Sequence, residues 1–462
     1  MDAALDYARQ HSDRFVEELK AWLRIPSIST DPEYAPQTRQ AAEWLADNLR
    51  AIGVETVEVM ETGTAAKPGH PIVYAEHHVS ESAPTVLVYG HYDVQPPDPL
   101  DLWDSPPFEP VEKDGDLVAR GSADDKGQAF MHVKAAEAYL ASGAPPVNLK
   151  MMIEGEEESG SVNLAPWIRD NKERLAADIV LVSDTALFAP GVPSIAYGLR
   201  GLAYVEVELT GPGKDLHSGV YGGGVENPIN ALAKMIGDLH DADHRVTVEG
   251  FYDDVRDLTP EEREAYRALP FDEAAWKAEA GVSATKTEAG YSTLEGTSGR
   301  PTLDVNGIWG GYTGKGAKTV LPSRATAKIS CRLVPDQTPE AITEKLRAHF
   351  EAHVPDTMTL DFRDLHGGLG SIVDTSLPAM QAAADALEGV FGQRPHFTRE
   401  GGSIPVVAVF KDILGLDTVL MGFGLDSDSI HSPNEKFGLD RFRQGVEASL
   451  RFMDAYAKQA GG

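Results

Sequence analysis

The sequence predicts an α/β catalytic domain on a mostly parallel sheet, interrupted by an inserted α+β domain. Three observations lead there. Short unbroken apolar runs, which read as strands buried on both faces, alternate with helical patterns over the first 200 residues. From about Tyr204 the texture becomes period-two alternation with helices between. Buried-strand texture then returns near the C-terminus, so the chain re-enters its first domain. The expected boundaries lie near 200 and 375, giving a discontinuous domain of residues 1–200 and 375–462 around an insertion of 201–374.

In chain order, Phe15, Leu19, Trp22 and Leu23 recur at helical spacing up to Ile25-Pro26, predicting a helix over roughly residues 2–24. Ala41, Trp44, Leu45, Leu49 and Ile52 repeat the pattern up to Gly53, a favourable stop. A β-branched run over 54–59 follows. The buried strands are read at 85–89, 149–153, 179–182 and 418–421, with a helix through Phe130, Val133, Ala136 and Leu140 closed by Gly143. In the insertion, strands are expected at 204–209 and 325–333 and helices at 228–239 and 339–350. Residues 244–300 are rich in glycine, proline and acids, and their pattern predicts no path. A last helix is read at 379–387.

Composition narrows the function. Of 462 residues, 42% are hydrophobic and 24% charged, which is globular, and no apolar stretch reaches the roughly 18 residues of a membrane span. With 41 basic and 72 acidic residues the net charge is −31, which argues against nucleic acid or an anionic membrane as partner. The acidic start lacks the features of a secretory leader and Cys331 is the only cysteine. No disulfide framework is possible, and the expected location is cytoplasmic.

The chemistry sits at strand ends, where open α/β sheets bind ligands. Each buried run leads into imidazoles or carboxylates: 85–89 into Gly90-His91-Tyr92-Asp93, 149–153 into Glu154-Gly155-Glu156-Glu157-Glu158, 179–182 into Ser183-Asp184, and 418–421 through a loop into Ile430-His431-Ser432-Pro433. A fifth segment, containing Asp124-Asp125, opens a helix. Nitrogen and carboxylate donors without thiolate suit catalytic Zn²⁺, or Mn²⁺ or Co²⁺. Two metals a few ångströms apart need a shared carboxylate, and successive glutamates are costly unless solvent or a cation relieves them. There is no Gly-x-Ser-x-Gly elbow, and Cys331 lies in an expected strand without a nearby base, which disfavours serine and cysteine hydrolase mechanisms.

The motifs GHYDVQP, RGSADDKG, EGEEESGS, VSD, DLHSGVYGG, CRLVPDQTPE, REGGSIPV and IHSPNE together resemble the dinuclear zinc metallopeptidases that include carnosine-type dipeptidases, aminoacylase, succinyl-diaminopimelate desuccinylase and glutamate-releasing carboxypeptidases. The carnosine-dipeptidase branch is the nearest in pattern. The resemblance implies that His91 and Asp184 bind one metal, Glu158 and His431 the second, and that Asp124 bridges. It makes Asp93 the group that orients His91, and Glu157 the general base. It puts a cis peptide between Asp124 and Asp125. It further implies that the insertion is a lid and dimerisation domain whose His217 reaches a partner's site. Arg332 would clamp a free carboxylate, Thr319 and Ser403 would supply polar contacts, and Asn306 stands as a further candidate.

The expected activity is hydrolysis of dipeptides or short peptides by a two-metal-activated water in a cytoplasmic homodimer. Deacylation of N-acyl amino acids is the competing reading, because two metals see only an amide carbonyl. A non-catalytic binding protein on the same fold is disfavoured, since it would not require all five ligand positions and Glu157.

Overall fold

The computed structural model describes residues 1–402 and 404–460, which form two compact units. One consists of Met1–Tyr197, Val373–Thr398 and the chain from Val409 on; the other of Gly198–Ile372 with Arg399–Ala408.

The first unit is built on a sheet ordered Thr56–Met60, Ile72–His77, Asn148–Glu154, Thr85–His91, Ile179–Val182, Thr418–Leu420, Ser194–Leu199. Its central four strands, from Asn148–Glu154 to Thr418–Leu420, are mutually parallel, while the flanking pairs are antiparallel. Asn148–Glu154 and Ile179–Val182 are buried at every position, which is why their apolar runs do not alternate. The Lys126–Ser142 helix is buried along almost its whole length between the Thr85–His91 strand and the Leu439–Ala460 helix, and stops at Gly143, whose φ is +152°. The segment expected as one helix over residues 2–24 is two, Asp2–Gln10 and Ser12–Leu23. They break at His11, whose ring Nδ1 lies 2.9 Å from the Tyr7 carbonyl.

The second unit holds a four-stranded antiparallel sheet ordered Thr302–Gly310, Arg324–Leu333, Gly201–Thr210, Thr359–Gly368. Along Gly201–Thr210 burial alternates residue by residue, with Ala203, Val205, Val207 and Leu209 facing the core. The Pro228–Gly237 and Pro339–His353 helices cover that face through Leu232, Met235, Ile342, Leu346 and Phe350. The stretch whose path the pattern did not give includes the short helices Pro260–Ala268, opened by a Thr259/Glu262 capping box, and Glu273–Glu279.

Candidate metal centre

The four parallel strands deliver their carboxyl ends to one edge of the sheet: His91 ends one strand, Glu158 and Asp184 follow closely on two others, and His431 lies in the loop after the fourth. The Asp124 loop supplies the fifth expected ligand. Two groups of three donors result, His91/Asp124/Asp184 and Asp124/Glu158/His431, with donor atoms in each within 4.8 Å of one another. Asp124 belongs to both. Its Oδ1 lies 3.1 Å from His91 Nε2 and its Oδ2 lies 2.8 Å from His431 Nε2, so each carboxylate oxygen faces a different imidazole. Asp184 Oδ2 stands 3.9 Å from His91 Nε2, and Glu158 Oε2 3.3 Å from His431 Nε2. Tetrahedral ligands with bonds of about 2.0–2.2 Å stand about 3.3–3.6 Å apart; the observed spacings bracket that separation, and the N/O donor set suits a pair of zinc-sized cations. The peptide between Asp124 and Asp125 is cis. His91 is fully buried, whereas the His431 side chain is 53% exposed, so the cluster opens to solvent on the His431 side.

Surrounding groups hold the donors in place. His91 Nδ1 faces the Asp93 carbonyl at 3.1 Å and the Asp93 carboxylate at 3.4 Å, which leaves Nε2 as the ligating nitrogen. The buried Asp93 carboxylate also accepts the Glu157 and Glu158 backbone N–H groups at 3.2 and 3.0 Å and the Ser29 hydroxyl at 2.6 Å. One side chain therefore fixes both the first histidine and the glutamate turn. Within that turn the three glutamates separate. Glu156 is turned to the His70 N–H and the Asn163 amide, while Glu158 accepts from Gln95 at 2.7 Å and points at His431.

Two residues that the sequence reading passed over complete the support. Glu435 is fully buried and accepts from Arg120 at 2.6 Å and from the N–H groups of Gly121, Ala123 and Asp124 at 3.0, 2.9 and 3.2 Å. Both it and Arg120 fall inside motifs already singled out, IHSPNE and RGSADDKG, and that adjacency was the available signal.

The crowding of carboxylates shows in their protonation. Burial, reinforced by Glu158, Asp93 and Asp124, pushes Glu157 up to about 7 against the opposing influence of His91. Burial and the neighbouring Asp125 and Asp124 carry Asp184 well above the carboxylate range. His431 is raised to about 10 by hydrogen bonds to Asp124 and Glu158. Burial disfavours a charged His91, yet hydrogen bonds to Asp124 and Asp93 outweigh it and raise its pKa. Asp124 is held well below its ordinary value by His431 and His91 in spite of its burial. Protons thus neutralise a cluster whose ligands must be deprotonated to take a metal, and cation binding would release them.

The remaining candidates lie in the second unit. His217 is exposed in a two-residue strand paired with Val320–Leu321, and its Nδ1 accepts the Gly219 N–H at 3.0 Å. Thr319 adjoins it, its carbonyl accepting the Ser218 N–H. Arg332 is half-buried opposite Leu202 and Thr302, and Asn306 sits at a bulge of the Thr302–Gly310 edge strand. Ser403 lies outside the described residues. Cys331 is buried in the Arg324–Leu333 strand.

The fold and the paired donor groups define a metal-dependent hydrolase. The chain belongs to peptidase family M20/M25/M40, whose family model matches residues 87–455. It is 32% identical to the Beta-Ala-His dipeptidase of Homo sapiens over 98% of this chain and 92% of that protein. It is 33% identical to the Cys-Gly metallodipeptidase of Schizosaccharomyces pombe over 99% of this chain and 98% of that protein. Among solved structures, an M20 family metallo-carboxypeptidase from Sulfolobus solfataricus superposes with a TM-score of 0.84 at 34% identity, covering 96% of this chain and 99% of that one. Among the described residues, no helix is long and apolar enough to cross a membrane.

Proposed function

We propose that the protein hydrolyses the peptide bond of dipeptides and other short peptides, using two divalent cations, zinc in the first instance. The observation that carries this reading is the Asp124 carboxylate with one oxygen on each histidine. His91 and Asp184 would hold one cation, Glu158 and His431 the other, and Asp124 both. Such a pair supplies Lewis-acid polarisation of the carbonyl and lowers the pKa of water. Glu157 takes the proton of the attacking water and returns it to the leaving amine nitrogen, a double task suited to a carboxyl poised near 7. Asp93 keeps His91 oriented and the glutamate turn in register.

By resemblance, Arg332 clamps the substrate carboxylate through its planar fork, with Thr319 and Ser403 as polar contacts, and His217 serves the site of a partner subunit. The homodimer reading is supported by the edge strand Thr302–Gly310, which exposes Ile308 and Trp309 beside exposed Tyr312; a long apolar edge invites pairing with a second copy. A cytoplasmic location is supported by the single, buried cysteine.

The test is a substrate panel on metal-loaded protein: Ala-Ala, Cys-Gly and β-Ala-His beside acetyl- and succinyl-amino acids. Dipeptides should be cleaved, and Glu157→Gln should keep both metals while kcat falls about 10²–10⁴-fold. Turnover confined to the acylated amino acids would make the protein a deacylase, and metal loss in Glu157→Gln would make Glu157 a ligand.

A further inference from the structure

The Lys126–Ser142 helix begins directly after the Asp124-Asp125 pair and carries two buried polar residues that belong to neither donor group, Gln128 and His132. They are 3% and 1% exposed, and their spacing of four puts them on one face of the helix. Polar groups in a core cost free energy unless they are matched. Here the matches lie beside the metal ligands.

Gln128 Nε2 donates to the Ala123 carbonyl at 3.1 Å, one residue before Asp124, and its Oε1 accepts the Phe423 N–H at 2.7 Å. Phe423 stands at the start of the loop that leads to His431; Arg441, itself paired with Asp428, donates to the Phe423 carbonyl at 2.8 Å. One turn further along the helix, His132 Nε2 lies 2.9 Å from the Ser183 hydroxyl, one residue before Asp184, and its Nδ1 lies 3.0 Å from the Ser449 hydroxyl. The Met421 carbonyl, 2.7 Å from the Ser183 hydroxyl, can only accept. Ser183 therefore donates to Met421, its oxygen receives the proton of His132 Nε2, and Nδ1 accepts from Ser449. The imidazole is neutral and held in one tautomer, in keeping with the burial that lowers its pKa to about 4.

We propose that Gln128 and His132 are positioning residues that space the metal ligands from one helix face: His132 acts through Ser183 on Asp184, and Gln128 acts through Ala123 and Phe423 on Asp124 and the His431 loop. Residues four apart rise about 6 Å along a helix, so the two side chains reach different segments from one rigid base. Asp184 belongs to one donor group and Asp124 to both, so the two residues should differ in the cations they affect. The inference rests on the two-cation reading above.

Stepwise Co²⁺ affinity of the full-length protein, first stripped of metal, is measured by competition with a chromogenic chelator, and urea unfolding of the metal-free variants establishes that each is folded. His132→Leu should weaken one of the two steps about 10–100-fold and spare the other, the size expected for groups that orient metal ligands. Ser183→Ala cuts the same link from its other end and should do likewise. His132→Gln, whose amide replaces the Nε2–H donor, should restore wild-type binding. Ser449→Ala breaks only the remote bond of the imidazole and should change neither step. Gln128→Leu should weaken both. In an Asp184→Ala background His132→Leu should add nothing, because the group it positions is gone.

Wild-type affinity in His132→Leu or Ser183→Ala overturns the role of His132, as does a His132→Gln variant that fails to restore binding. Equal weakening of both steps by His132→Leu, an additive loss in the Asp184→Ala background, or a loss in Ser449→Ala as large as in Ser183→Ala would mean general loosening of the core and overturns it too. If His132→Leu does not fold, Ser183→Ala decides. Gln128→Leu with wild-type affinity at either step overturns the role of Gln128. Wild-type protein that takes up fewer than two cations sinks the two-cation reading; two cations in the wild type with unaltered variants sink this inference alone.

Discussion

Removing the Glu435 carboxylate should cost both stability and metal affinity, and the structure sets the size of each. Glu435 accepts four hydrogen bonds, from the Arg120 guanidinium and from the backbone of Gly121, Ala123 and Asp124. Arg120 is 1% exposed, and its guanidinium also donates to the Pro96 carbonyl and lies over the Trp103 ring. Glu435→Ala leaves that cation buried without its counterion, a defect of about 3–5 kcal/mol. Glu435→Gln keeps the shape and one acceptor but turns an amide donor towards N–H groups, and should cost about 1–3 kcal/mol. The same bonds anchor the loop that presents Asp124, so the glutamine variant should bind metal about 10–100-fold more weakly, or about 1.4–2.7 kcal/mol. Urea unfolding of the metal-free protein measures the first effect, and competition against a chromogenic chelator the second. Wild-type metal affinity in Glu435→Gln would refute the anchoring argument, and a loss below about 1 kcal/mol in Glu435→Ala would refute the burial argument.

Asp124→Ala should stay folded but lose at least one metal and nearly all activity; full occupancy of both metals by elemental analysis would remove Asp124 from its bridging role. His132 is buried between Ser449 and Ser183, and burial pushes its pKa down to about 4. The unfolded chain therefore takes the proton first, so this contribution to stability is complete above about pH 6.5 and drains, by at most about 3 kcal/mol, as pH falls towards 4. His132→Gln should flatten that slope in urea titrations at pH 7, 6 and 5, and a slope equal to wild type would contradict the assignment. If His217 serves a partner's site, mixing inactive Glu157→Gln and His217→Ala proteins should restore about a quarter of wild-type activity, since half of the dimers are mixed and each has one intact site. Mixed dimers, demonstrated with two tags, that stay inactive would place His217 in its own subunit's site or in none.

Local sequence determined most of the scaffold of the first unit. Unalternating apolar runs of strand length at 85–89, 149–153 and 179–182 read as strands buried on both faces, and a strand's carboxyl end is fixed by chain direction; hence the sequence alone puts His91, the glutamate run and Asp184 at one sheet edge. Period-two alternation likewise gave the strand read at 204–209, which the structure extends to Gly201–Thr210. Two features were beyond its reach. Periodicity cannot tell Glu156 from Glu158, because three adjacent glutamates are equivalent in composition; tertiary packing separates them by turning Glu156 to His70 and Asn163. It cannot pair Glu435 with Ala123, 312 residues away, because such a bond exists only once two distant loops are folded against each other. Pattern in a chain reports how each segment meets solvent and core, whereas the identity of a side chain's partner is settled only when the segments are packed together.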